Sequence, residues 1–276
     1  MEGTHHDRGT RVGTFAGKVA LVTGGSSGIG RAAALAFARE GAQVVIAARG
    51  ADRGHAVVRE IEAAGGTARF VACDVGNAAD VAGLVEGTVE AYGRLDCALN
   101  NAATTDGVFK LTADFSEEEF DRAMAANLKG VWLCLRHEIR QMLAQQPAGG
   151  AIVNTSSLNG LGGAPQGALY SAAKAGVLAL TKSAAQEYAA HGIRVNALVA
   201  GAFRTPMLEG VFEHASGGDP AAAKAVEARY IGMIPLGRLG RPDEAASAAV
   251  WLCSDAASYV TGHSMIVDGG VSAFVR

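Results

Sequence analysis

Three residues in the middle of the chain have the types and spacing to move a proton: Ser157, Tyr170 thirteen positions on, and Lys174 one helical turn beyond. Tyr170 and Lys174 belong to an Ala-rich run, Ala168–Leu169–Tyr170–Ser171–Ala172–Ala173–Lys174, which is expected to be helical. Residues four apart share a helix face, so a phenol and an ammonium would stand side by side. A free phenol loses its proton near pH 10, and a neighbouring cation stabilises the phenolate. Bringing that proton within reach of neutral pH needs about 4 kcal/mol, which one cation at close range in a partly desolvated cleft could largely supply. Taken alone, a Tyr-x-x-x-Lys pair is also an ordinary half-exposed helix pair. Its meaning depends on what the rest of the chain brings to it.

The surrounding pattern is regular. Val19–Val22 is a short apolar run of the kind that forms a strand buried on both faces. Gly24 to Gly30 follows, then an Ala-rich helix through Glu40, with Gly41 as its stop. Strands are expected at Val44–Ala47, Ala68–Ala72, Leu95–Leu99, Ala151–Thr155, Ile193–Leu198 and Ser264–Val267. Helices are expected over Asp52–Ala64 and Ala79–Tyr92, from Ser116 with Glu119 as its capping-box partner, around Tyr170, and from Pro242. Strand and helix alternating at this spacing imply an α/β fold, a Rossmann-like, doubly wound parallel sheet in three layers. A polar, Gly/Thr-rich stretch over 1–16 reads as a flexible extension, and 17–276 as a single domain. Residues 206–235 hold no convincing strand and read as a lid over the carboxyl edge of the sheet.

Thr23–Gly24–Gly25–Ser26–Ser27–Gly28–Ile29–Gly30 sits where the first strand turns into the first helix. Glycines there let the backbone turn tightly and approach a pyrophosphate, whose charge is met by the helix N-terminus. The spacing is Gly-x-x-x-Gly-x-Gly. Together with the downstream Tyr-x-x-x-Lys, this resembles the short-chain dehydrogenase/reductase family, over nearly the whole chain from Lys18 to Gly270. The resemblance implies a catalytic tetrad of Asn127, Ser157, Tyr170 and Lys174. It also implies that Gly24, Ser26, Ser27, Gly28, Ile29 and Gly30 cradle a dinucleotide, with Asp74–Val75 at the adenine. Asn100–Asn101–Ala102 matches the family's Asn-Asn-Ala-Gly element with Ala103 in the last place, which puts Asn101 and Ala102 beside the cofactor. Tyr170 and Lys174 would touch the cofactor as well, as would Gly201, Phe203 and Thr205, the last at the nicotinamide carboxamide. Ala200–Gly201 departs from the family's usual Pro-Gly. Thr261–Gly262 and Asp268–Gly269–Gly270 look like the ending of its tetramer-forming members.

Which dinucleotide binds turns on one charge. An acid ending the second strand would hold a ribose 2′-hydroxyl and repel a 2′-phosphate. Ala48 stands there, followed by Arg49, and this favours NADP over NAD. The expected reaction is reversible hydride transfer between nicotinamide and a ketone or secondary alcohol, with Tyr170 as general acid and base. Ser157 would hydrogen-bond the reacting oxygen, Lys174 would tune the phenol and hold ribose, and Asn127 would hold a relay water. A catalytically silent nucleotide sensor or structural subunit of the same fold is the competing reading.

Composition narrows the partners. The 276 residues are 49% hydrophobic and 18% charged, with 24 basic against 27 acidic side chains and a net charge of −3. That balance offers no footprint for nucleic acid or an anionic membrane. Cys73, Cys97, Cys134 and Cys253 are far apart in apolar segments, so they read as reduced core residues, with no metal or redox motif. No secretory signal and no membrane-length apolar run is apparent, and the expectation is a cytoplasmic protein. Substrate walls are expected from Ala103–Val108, Leu158–Leu169 and the lid, with Gln166, Leu169, Phe203 and Met207 foremost. Their apolar character suits a neutral substrate of the 3-oxoacyl, sugar or cyclic-alcohol type, and Arg204, Lys224 and Arg229 form only a weak basic patch. Surplus apolar residues on the Asn127 helix, Leu128, Trp132 and Leu133, point to subunit pairing, for which the resemblance implies a homotetramer.

Overall fold

Short apolar strands flanked by Ala-rich helices assemble into one seven-stranded sheet in the computed structural model, which describes residues 13–273. In chain order the first half is β1 (Val19–Thr23), α1 (Gly28–Arg39), β2 (Gln43–Ala48), α2 (Ala51–Ala63), β3 (Thr67–Ala72), α3 (Ala78–Tyr92) and β4 (Cys97–Asn100). The second half is α4 (Glu117–Met124), α5 (Gly130–Ala144), β5 (Gly150–Ser157), α6 (Ala168–Tyr188), β6 (Ile193–Ala200), α7 (Pro206–Ala215), α8 (Pro220–Gly232), α9 (Pro242–Cys253) and β7 (Ser264–Val267). The strand order is β3-β2-β1-β4-β5-β6-β7 and every pairing is parallel. The winding direction therefore reverses between β1 and β4, which opens a crevice at their carboxyl ends.

Side chains alternate across the strands, and each face buries its own cluster. Ala20 and Val22 face a cluster containing Phe37, Ile61 and Leu252 from α1, α2 and α9. Leu21 faces the other, with Leu84, Leu133, Met142 and Val177 from α3, α5 and α6. All four cysteines are buried free thiols in these layers. Among the described residues no helix is long and apolar enough to cross a membrane.

Three expectations shift. Residues 13–16 belong to the fold and not to a flexible extension: Phe15 is buried edge-on against Phe37, and its amide donates to the Glu40 carbonyl. The remainder of that stretch, 1–12, lies outside the described residues. β4 begins at Cys97, not Leu95, because the Leu95 backbone is held by a side chain: its N–H donates to Gln145 Oε1, and its carbonyl accepts from Gln145 Nε2. The strandless interval after Thr205 is mostly helical. Both α7 and α8 start with a proline, capped by Thr205 Oγ1 on the Leu208 amide and by Asp219 Oδ1 on the Ala221 amide.

The capping box expected at Ser116 is present, with Ser116 Oγ accepting from the Glu119 amide and Glu119 returning a bond to the Ser116 amide. Replacing Ser116 by Ala should lower unfolding free energy by about 1 kcal/mol in denaturant titration, with the m-value unchanged.

Candidate active site

The carboxyl ends of β1, β2, β4, β5 and β6 open into one cleft of about 1630 Å3. At one end the β1–α1 turn runs through Gly24 and Gly28 at φ of 65° and 54°, conformations that glycine adopts without strain. Ser27, the N-cap of α1, makes no side-chain capping bond, so the first amides of the helix face the cleft unspent by a cap. A Cβ on Gly30 would lie 2.4 Å from the Gly24 carbonyl oxygen and 2.6 Å from Asn101 Nδ2. Gly30 therefore serves packing beneath the turn and is not itself part of the cleft lining. Thr23 Oγ1 accepts from the Asn101 and Ala102 amides, which ties the ends of β1 and β4 together. The arrangement fits a pyrophosphate approached by backbone.

Beyond the turn, the lining includes Ser26, Ser27, Ile29, Arg49, Asp74, Val75, Asn101 and Ala102. Arg53 joins them from the first turn of α2, four residues after Arg49 in the preceding loop. Both guanidinium groups are exposed at the rim, and neither forms a salt bridge among the described residues. Arg53 carries no motif of its own in the sequence, although it lies only four positions from Arg49.

At the other end Ser157, Tyr170 and Lys174 line the same cleft. Lys174 is 1% exposed, and its Nζ donates to the Thr155 carbonyl at 3.0 Å. It sits 5.7 Å from the centre of the Tyr170 ring. Burial without a carboxylate partner pulls the lysine down to about 8. Burial also raises the Tyr170 phenol above its ordinary value, while the Ser157 hydroxyl pulls the other way. The expectation is a phenol made acidic by its neighbour; in the chain itself burial is the larger influence on Tyr170, and the opposing one comes from Ser157. Ser156, adjacent to Ser157, is spent, since its hydroxyl donates to the Lys174 carbonyl. Ser157 Oγ accepts from the Asn159 amide and retains its hydrogen for donation.

Asn127 is fully buried in a single widened turn, Ala125–Lys129, that joins α4 to α5 with π geometry. Its Oδ1 accepts from the Thr104 amide at 3.0 Å, and Nδ2 points at Thr104 Oγ1. Asn127 thus stands behind the cleft wall rather than in it. Thr104 falls within the expected wall Ala103–Val108 and lines the cleft, but its bond to Asn127 carries no sequence signal, because the two lie 23 positions apart.

Gly201, Phe203 and Thr205 line the cleft, and so do Gln166 and Met207. Leu169 does not. It borders a separate depression with Phe115 and Phe120, because one helical step turns it away from Tyr170. The α7–α8 pair adds Val211, Val226 and Tyr230 to the lining. A stack between Phe109 and His214, with centroids 3.9 Å apart, joins the loop after β4 to α7. Arg204 is taken up by an ion pair with Glu227, which further weakens the basic patch.

A family model described as Enoyl-(Acyl carrier protein) reductase matches residues 24–272. The 2,5-dichloro-2,5-cyclohexadiene-1,4-diol dehydrogenase of Sphingobium indicum is 44% identical over 260 residues, spanning 94% of this chain and 98% of that protein. The crystal structure of a short-chain type dehydrogenase/reductase from Mycobacterium marinum is similar at a TM-score of 0.86 and 37% identity, covering 94% of this chain and 97% of that one. A variant of actinorhodin polyketide ketoreductase with NADPH is similar at a TM-score of 0.87 and 34% identity, over 93% and 98% of the two chains. These relatives are enzymes, which favours catalysis over a silent subunit. With the parallel fold and the shared cleft, the chain belongs to the short-chain dehydrogenase/reductase family, as an NAD(P)-dependent oxidoreductase acting on CH–OH and carbonyl groups.

Proposed function

We propose that this enzyme uses NADP on a neutral cyclic alcohol or ketone, with Tyr170 exchanging the proton at the reacting oxygen. The observation that carries the reading is that Ser157, Tyr170 and the buried Lys174 line one cleft with the Gly24–Gly28 cradle. When bound, nicotinamide supplies or accepts hydride at its C4. Tyr170 Oη gives its proton to the carbonyl oxygen in reduction and takes it back in oxidation. Ser157 donates its hydroxyl hydrogen to that same oxygen as negative charge builds there. Lys174 has two ammonium hydrogens beyond the one on Thr155 O, enough to hold two ribose hydroxyls. Its charge offsets the upward push that burial exerts on the phenol. Asn127 steadies the Thr104 wall and, through a water, connects Lys174 to solvent.

NADP is favoured because Arg49 and Arg53 flank the place where an acid would select NAD, and guanidinium pairs suit phosphate geometry. Asp74 and Val75 would receive the adenine, and Thr205 with Gly201 and Phe203 the carboxamide end. A cyclic substrate is favoured by the named diol dehydrogenase relative and by the apolar wall of Met207, Val211, Val226 and Tyr230, with Gln166 offering one polar handle. The Arg204–Glu227 pair counts against docking of an acidic carrier protein. We place α7 and α8 as a lid, and the enzyme in the cytoplasm as a homotetramer. Support for assembly comes from exposed Phe120 and Trp132 on α4 and α5, and from Trp251, Tyr259 and Ile266 beside the edge strand β7.

Tyr170→Phe should leave NADPH binding within about twofold while lowering kcat at least a hundredfold on a cyclic-ketone panel, which is the range of general acid catalysis. Unchanged turnover would exclude the proton-donor role. For the cofactor, Arg49→Asp combined with Arg53→Ala should reverse the ratio of kcat/KM for NADPH over NADH; an unaltered ratio removes the argument for NADP. Gly30→Ala should weaken dinucleotide binding by at least tenfold in calorimetry, since the added Cβ would sit 2.4 Å from the Gly24 carbonyl oxygen and force the cradle to move.

A further inference from the structure

A line of buried polar side chains crosses the sheet one layer beneath the cofactor end of the cleft, and no catalytic step uses it. It starts at Glu138 on α5, which is fully buried. Asn100, the last residue of β4, donates from Nδ2 to Glu138 Oε2 at 2.9 Å and to Asn154 Oδ1 on β5 at 3.0 Å. Asn154 Nδ2 then donates to Thr181 Oγ1 on α6, whose hydroxyl donates to the Val177 carbonyl. The bonds run outward from Asn100, to Glu138 on one side and through Asn154 and Thr181 to the Val177 carbonyl on the other. Both hydrogens of Asn100 Nδ2 are committed, and two acceptors are left over with no donor, Glu138 Oε1 and Asn100 Oδ1.

The two orphan acceptors belong to the same bonded pair. An ionised carboxylate cannot satisfy either one, because it is acceptor-only. A buried carboxylate with a single neutral donor is also very costly, and such groups take up a proton instead. One proton on Oε1 satisfies both atoms at once: it makes Oε1 a donor and gives Asn100 Oδ1 its partner. We propose that Glu138 is held as a neutral carboxylic acid, paired to the Asn100 amide through both oxygens, and that it acts as a positioning residue for the Asn100–Asn101 end of β4. The surroundings agree. Its hydrogen-bond partner is Asn100, beyond which Asn154 and Thr181 follow, and the Cys134 thiol lies one turn back on α5 with Cys73 near that thiol. No lysine, arginine or histidine contributes to its proton affinity, and burial pushes the acid up to about 7.

The link to function is short. Asn100 is followed directly by Asn101 and Ala102, whose amides are tied to Thr23 and which line the cleft. An amide rotated or repelled at Asn100 would disturb the strand end against which the glycine turn is packed. This part of the inference rests on the dinucleotide reading above; the protonation state does not.

Glutamine reproduces the neutral acid atom for atom, with an acceptor oxygen and a donor amide, whereas leucine reproduces only the volume. Parent, Glu138→Gln and Glu138→Leu proteins would be compared by NADPH titration, KM for a carbonyl substrate, and thermal unfolding between pH 5 and pH 8.5. The Gln variant should bind NADPH within about twofold of parent at pH 6, and the Leu variant roughly tenfold more weakly, the effect of one unpaired buried polar group. Carbonyl KM should move less than dinucleotide affinity. The acid is raised in the folded state, so its contribution to stability is complete below about pH 4.5 and is lost as pH rises through about 7. Parent Tm should therefore fall relative to the Gln variant across that interval. Because the Leu variant could fail to fold, the deciding measurement is infrared difference spectroscopy of parent against Glu138→Gln. A protonated-carboxyl carbonyl band should be present at pH 6, shift in D2O, fade by pH 8.5 and be missing in the Gln variant. A carboxylate signature at pH 6, or a Gln variant as weak for NADPH as the Leu variant, would overturn the proposal. If the infrared band is present but NADPH does not bind to parent, it is the dinucleotide reading that fails.

Discussion

A sheet whose strands all run one way must end them all at one edge, and that constraint organises this molecule. Each strand leaves the edge into a loop, and the loops return through helices to the opposite edge. Residues far apart in sequence, Gly24, Asn101, Ser157 and Gly201, are thereby brought to one rim. The reversal of winding between β1 and β4 then leaves a gap between neighbouring loops, where a ligand can enter. The order of the strands alone decides where chemistry can happen.

Within that rim the dominant physical term is desolvation. Lys174 has been taken out of water with one carbonyl for company, and its proton affinity falls. The phenol of Tyr170 feels the same medium in the opposite sense. The two shifts carry the ammonium toward neutral pH and the phenol away from it, so burial separates two groups whose ordinary values nearly coincide. Proton affinity matched to the working pH is where general acid and base catalysis is most effective. A lysine on the surface, four residues from the same tyrosine, would do none of this.

The rest of the cleft is built for shape rather than charge. Two short helices, each begun by a proline and a capping side chain, add apolar residues to the cleft lining. The Phe109–His214 stack joins the first of them to the loop after β4, and the Phe212–Tyr230 contact joins the two helices to each other. Buried polar groups beneath the sheet are few and connected, as they must be in a low-dielectric layer. Along the line from Glu138 to Thr181 the hydrogen bonding is incomplete at Glu138 and Asn100, and Asn100 directly precedes the cleft-lining Asn101 and Ala102.

Sequence by itself determined the element order, the glycine turn and the Ser157–Tyr170–Lys174 spacing, because each is a local regularity: apolar runs of strand length, glycine where backbone must bend, and i, i+4 on a helix. The helix starts at Ser116 and Pro242 were legible for the same reason, whereas the two helices after Thr205 were not singled out. What tertiary structure decided is everything that depends on distance in space. Phe15 proved to be core because Phe37 lies above it, and Leu169 left the cleft because its helix face is turned away. The Asn127–Thr104 bond spans 23 residues and the Asn100–Glu138 bond 38, so no local pattern encodes them. The acidity of Tyr170 and Lys174 belongs to the same class. Spacing brings the two groups together, but the dielectric around them comes from the whole packed sheet.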